Sequence, residues 1–139
     1  MLEKQEFYWG AAIVRLLDDP RCASVAKSES GYVVNGMRLI VLKYSTKSRT
    51  PWRFSIGADE IKRLVEASGR HKSLVIGLVC GGDGVCAITW KQAAVLLGEE
   101  PGWISIRRNF HERYAVAGSA GQLEGKVPLR DWPALLFES

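Results

Sequence analysis

The amino-acid sequence predicts a single α+β domain, with a mixed or antiparallel central sheet flanked by about three helices. Three observations carry this prediction. The N-terminal stretch has helical periodicity and ends at Asp18-Asp19-Pro20. Short β-branched and aromatic runs follow, two of them joined at Asn35-Gly36. Later short strands are interspersed with two more helical segments, and the 139 residues suit one domain with no repeat or linker.

Taken in order, Glu3 to Leu17 reads as a helix whose apolar stripe is Phe7, Ala11 and Val14, at i, i+4 and i+7. Pro20 stops it, because the residue before a proline is pushed out of helical geometry. Tyr32 to Asn35 and Met37 to Tyr44 read as a hairpin, since both central positions of an Asn-Gly turn take positive φ. The second run is continuously apolar from Leu39 to Leu42, as expected of a strand covered on both faces. Ser45 to Pro51 is polar and basic and reads as a loop. Trp52 to Ile56 then alternates as a short strand with Trp52 and Phe54 on one face.

A second helix begins near Ala58, where Asp59 and Glu60 suit the positive end of the helix dipole. Ile61, Leu64 and Val65 form its expected buried face and Ser68-Gly69 its stop. Leu74 to Cys80 is a central strand, Gly81-Gly-Asp-Gly84 a tight turn, and Val85 to Thr89 the antiparallel return. Thr89-Trp-Lys-Gln92 has capping-box spacing, so a third helix runs to Leu97 and ends at Gly98. Trp103 to Arg107 and Tyr114 to Ala117 are further strands, and Gly118-Ser-Ala-Gly121 turns into Gln122 to Val127. Asp131 to Phe137 packs back as a short turn of helix.

Composition excludes several classes. Hydrophobic residues at 47% support a core, and 24% charged residues argue against disorder. The apolar stretch from Phe7 to Val14 is ended by Arg15 with no cleavage site after it. The longest later apolar run, Leu74 to Gly82, falls short of the ~20 residues a bilayer crossing needs. The expectation is a soluble, cytoplasmic, bacterial-type protein with no membrane partner. Cys22, Cys80 and Cys86 are an odd set and read as free thiols. The Cys80-to-Cys86 spacing is not a zinc-knuckle spacing, His71 and His111 are the only histidines, and no metal is expected. Gly81 to Gly84 lacks the phosphate-loop pattern and leads into a strand, no dinucleotide-binding spacing occurs, and no cofactor is expected.

Charge is concentrated. The chain carries +4, but residues 43 to 72 hold eight cations against Asp59, Glu60 and Glu66, a local +5 that leaves the rest at −1. Such a segment suggests an anionic partner or a solvated face. Metal-dependent phosphodiester cleavage needs at least two convergent acids, and Glu29 is the one acid between Pro20 and Ala58.

The element order of residues 3 to 80 resembles the core of the PD-(D/E)XK, or restriction-endonuclease-like, superfamily. That family places an acid on its second core strand and an acid-x-lysine triplet near the end of its third. Lys43 matches the family lysine, but Val41 stands where the acid of the triplet belongs. Glu29 matches the first acid loosely, and Glu6 matches the acid that some members carry on the first helix. The resemblance implies a fold and contact with nucleic acid. An active nuclease would have to be built on Glu6, Glu29 and Lys43, and the broken triplet argues against one.

The basic loop Lys47-Ser-Arg-Thr-Pro-Trp-Arg53 combines cations, hydroxyls and an aromatic ring, which suits a phosphate backbone and an unstacked base. Its alternative reading is a solvated loop followed by a core Trp52. The expected nucleic-acid-binding set is Lys43, Lys47, Arg49, Trp52 and Arg53, with Arg107, Arg108 and Arg113 as an extension. Two readings follow: a non-catalytic domain of nuclease-like architecture that binds DNA or RNA, or an accessory module that contacts a protein partner or forms a homo-oligomer. Trp9, Trp90, Trp103 and Trp132 are expected to anchor a core or an interface.

Overall fold

Asn35 and Gly36 take φ values of 53° and 72°, and the chain reverses there between β2 (Tyr32–Val34) and β3 (Arg38–Ser45). The Asn35 side chain adds to the turn by accepting from the backbone of Ala23 and Ser24 and donating to the Arg21 carbonyl. This ties in β1 (Val25–Lys27), an edge strand whose short run carried no alternation in the sequence. The computed structural model describes residues 1–71 and 73–138. Lys72, part of the basic segment, and Ser139 lie outside the described residues.

The strand β3 pairs in parallel with β5 (Ser73–Cys80), which pairs antiparallel with β6 (Gly84–Thr89). The five-stranded sheet is therefore mixed, in the order β1-β2-β3-β5-β6. The connection from β3 to β5 runs through β4 (Trp52–Ile56) and α2 (Ala58–Arg70). That excursion puts β4 in a second, antiparallel sheet with β7 (Gly102–Arg107) and β8 (Ala115–Gly118). Between β6 and β7 lies α3 (Trp90–Leu97). The Thr89 hydroxyl accepts from Gln92 N, and Gln92 returns the bond to Thr89 N. Such a cap stabilises a helix start by about 1 kcal/mol. Gly98 closes the helix at φ 63°.

The five-stranded sheet is covered on both faces, which explains the continuous apolar runs in β3 and β5. One face, with Leu39, Ile76, Leu78 and Ile88, packs against α2, α3 and the three-stranded sheet. The other, with Ile40, Leu42, Val75 and Val79, packs against α1 (Lys4–Asp18) and the C-terminal segment. That segment comprises α4 (Asp131–Ala134) and a 3-10 turn, Leu135–Phe137. Trp132 sits at its centre, packed above Gly77 and donating its indole N–H to the Ala12 carbonyl at 3.1 Å. The result is a single α+β domain, as the sequence predicts. No helix among the described residues is long and apolar enough to cross a membrane.

Several local expectations need correction. The helix α1 buries Ala12 and Leu16, with Tyr8, Trp9 and Ile13 partly covered, while Phe7, Ala11 and Val14 face outward. Two apolar stripes share this helix, and packing selected the one that carries the larger aromatics. Val65 is 42% exposed, so α2 is buried through Ile61, Leu64 and Ala67 instead. Gly69 lies inside α2, which runs on to Arg70. Residues 122–127 form no strand. They meet the second sheet through the isolated bridges Tyr114 to Val127 and Ala117 to Gln122 and a bond from Leu123 N to the Val116 carbonyl.

Candidate nucleic-acid interface

In the three-stranded sheet, one face closes the core with Trp52, Phe54, Ile104, Ile106 and Val116. Strand alternation turns the intervening residues outward. Cross-strand register places Arg53 opposite Ser105, Ser55 opposite Trp103 and Arg107 opposite Ala115 on the outer face. Arg53 and Arg107 are exposed, and none of these outward side chains is acidic. The Arg53 guanidinium lies over the Trp103 ring, 4.4 Å from its centroid, in a cation–π contact.

The basic loop is fixed to one end of this sheet. Gly81 approaches the Lys47 carbonyl so closely that a Cβ there would collide with it, and Gly81 N donates to the Ser45 carbonyl. Trp52 Nε1 donates to the Lys47 carbonyl at 2.9 Å, and Arg108 N donates to the Thr50 hydroxyl at 3.1 Å. These bonds hold the loop beside the end of β7, where Arg107 stands. Lys47 and Arg49 project from it, exposed.

Of the expected binding set, Lys47, Arg49 and Arg53 are thus exposed. Trp52 is not available: it is 2% exposed and belongs to the core, edge-on to Tyr114. The aromatic ring on the outer face is Trp103, which sequence reading assigned to a core or interface. The alternation Trp103-Ile-Ser-Ile-Arg107 was the signal that could have found it, since it puts Trp103, Ser105 and Arg107 on one face.

Lys43 is also engaged. Its Nζ donates to Glu60 Oε2 at 2.6 Å and to the Ser55 carbonyl at 2.8 Å. This ion pair forms one corner of a cavity of about 410 Å³ between β3, α2 and the β1–β2 connection. Glu29 and Val41 line the same cavity, so the structure brings together Glu29, Lys43 and the position of the missing acid. Glu6 does not join them. It sits in the first turn of α1, where its carboxylate accepts from Glu3 N at 3.0 Å. Glu60 and Arg63 complete the rim of the cavity, and Trp9, Tyr32 and Tyr44 stand in its walls. Spacing alone did not reveal these residues, because they come from α1, β2, β3 and α2.

Arg108, an expected extension of the patch, has a different role. Its guanidinium makes two 2.8 Å hydrogen bonds to Asp83, and the Tyr114 hydroxyl donates to the same carboxylate at 2.9 Å. Asp83 lies in the glycine turn after β5, so this network clamps that turn to the segment following β7. Arg113 is exposed, as is His111. Cys80 and Cys86 are buried, and that burial pushes their thiols well above the usual range. Among the described residues, no three His, Cys, Asp or Glu side chains converge as a metal site would need. The chain matches no family model, no curated protein and no solved structure, and any functional reading rests on this geometry.

Proposed function

We propose that the protein is a non-catalytic nucleic-acid-binding domain that holds a single strand across the outer face of its three-stranded sheet. One observation carries the reading: the Arg53 guanidinium stacked on Trp103, on an exposed face that also presents Arg107 and no acid. The Arg53 guanidinium plane on Trp103 offers an unstacked base a stacking surface, and neighbouring cations suit the phosphates between bases. Lys47 and Arg49 extend the phosphate track from the loop. The element order of helix, four strands, helix and strand, with β3 parallel to β5, supports a nuclease-like architecture. Val41 in place of an acid, and Lys43 held by Glu60, support holding a strand over cleaving it.

The test is fluorescence anisotropy with a labelled single-stranded oligonucleotide across a salt series. If Lys47, Arg49, Arg53 and Arg107 all contact phosphates, log K falls with a slope of about −3 against log salt. Trp103→Ala weakens binding about tenfold or more, and Arg53→Ala reduces the slope by about 0.7. No binding to DNA or RNA at low salt sinks the proposal.

A second reading is favoured by α1. Phe7, Val14 and Leu17 are 60%, 57% and 56% exposed along its outer face and form an apolar strip there. That strip suits a second copy of the chain packed across a two-fold axis. Light scattering would then give a dimer that Phe7→Glu converts to monomer. A wild-type monomer at high concentration would remove this reading.

A further inference from the structure

We propose that the cavity beside Lys43 takes one unpaired nucleobase from the bound strand. The inference rests on the single-strand reading above and assigns a second contact to it. At about 410 Å³ the cavity falls within the range of small-ligand sites. Its walls suit a flat ring. Tyr44 is stacked on Tyr8 with ring centroids 5.3 Å apart and planes 9° apart, and Tyr32 is held edge-on by Trp9 at 6.5 Å. Both walls are therefore oriented before any ligand arrives, which lowers the ordering cost of binding. Val41, Ile56 and Ile76 make the lining apolar.

The rim argues for an uncharged ligand with a polar edge. Glu29 and Glu60 balance Lys43 and Arg63, so the site has no formal net charge to attract an isolated anion or cation. Two of the three Lys43 donors are used by Glu60 and the Ser55 carbonyl, which leaves one. Arg63 adds donors at the mouth, and Glu29 and Ser30 add acceptors. Donors and acceptors around an apolar slot are what a nucleobase edge requires. The cavity reaches the edge strand β4 at Ile56, next to Ser55. Ser55, which bonds Lys43 through its carbonyl, lies two residues after Arg53 on β4 and opposite Trp103. A strand crossing Trp103 can thus turn one base inward past Ser55.

The experiment follows backbone amide shifts of the whole chain while adenosine, guanosine, cytidine and uridine are each titrated in. At least one nucleoside is expected to saturate with a dissociation constant of about 1 mM or tighter, shifting Gly31, Tyr44 and Ile56. Val41→Phe, which fills the cavity, weakens it tenfold or more, whereas Glu100→Gln on the exposed turn after α3 leaves it unchanged. Should Val41→Phe fail to fold, Glu29→Arg at the rim is expected to weaken the same nucleoside severalfold. If strands bind in an Arg53-dependent way but no nucleoside shifts these residues, the cavity proposal is overturned and the sheet reading stands. A fully abasic strand competing as well as the natural one also overturns it. If a nucleoside saturates the cavity and no strand binds, the base site holds and the sheet reading fails.

Discussion

Replacing Trp132 by alanine is expected to cost about 3–5 kcal/mol, a large share of the roughly 5–15 kcal/mol that holds a domain of this size together. Trp132 is 3% exposed and joins three elements that are distant in sequence. Its indole N–H satisfies the Ala12 carbonyl of α1, and its ring covers Gly77 in the middle of β5. Alanine leaves a void against the sheet and removes the bond to the Ala12 carbonyl, so both α1 and the C-terminal segment lose their anchor. Urea unfolding followed by circular dichroism measures the loss.

The partner of that ring provides a sharper check. A Cβ on Gly77 would stand 2.8 Å from Leu42 Cδ2 and 3.0 Å from Trp132 Cζ3. Gly77→Ala should therefore destabilise the wild type by about 1–3 kcal/mol through overpacking. In the Trp132→Ala background the new methyl enters vacated space and should cost distinctly less. A double-mutant cycle with no coupling would show that Trp132 does not pack on Gly77 in solution.

Asp83→Asn is expected to cost about 2 kcal/mol at neutral pH, with a loss that disappears in acid. Asp83 and Arg108 have side chains 21% and 18% exposed, so their two hydrogen bonds are only partly screened by water. Tyr114 is fully buried, and its hydroxyl depends on the same carboxylate. The Arg108 hydrogen bonds hold the Asp83 carboxyl below its ordinary value against the opposing cost of burial, and the Tyr114 hydroxyl adds to the depression.

The sign of the pH effect follows. A carboxyl whose pKa is lowered by folding contributes stability above its unfolded value, about 3.9, and loses it as pH falls through the folded value. Wild type and Asp83→Asn should therefore differ most in Tm at neutral pH and converge as pH falls from about 3.9 through the lower folded value. A constant difference across that range would assign the cost to turn geometry instead of charge. Gly84→Ala offers an independent probe, since a Cβ there would meet the Tyr114 hydroxyl at 2.7 Å and disturb the same network.

The local rules read from the sequence concern what neighbouring residues do to one another. Asn35-Gly36 turned the chain because its two positive φ values need no partner from elsewhere. The box of Thr89 and Gln92 started α3 because both bonds are made within four residues. The apolar runs of β3 and β5 announced a sheet covered on both sides. Lys47, Arg49 and Arg53 were recognisable as exposed cations, because a polar loop and an alternating strand leave them nowhere to be buried.

Tertiary structure decided the rest, because each remaining question was a competition between distant surfaces. The helix α1 carries apolar residues on two sides, and only the sheet beneath it selected Ala12 and Leu16 over Phe7 and Val14. Trp52 and Trp103 are both tryptophans at the starts of alternating strands. Pairing of β4 with β7 sent one into the core and left the other under Arg53 on the outer face. Lys43 became half of an ion pair because α2 delivered Glu60 to it from seventeen residues away. The local patterning of the sequence determined that this is an α+β domain with a basic segment. Which of its charges pair with one another, and which remain exposed, was settled by long-range packing that no local pattern encodes.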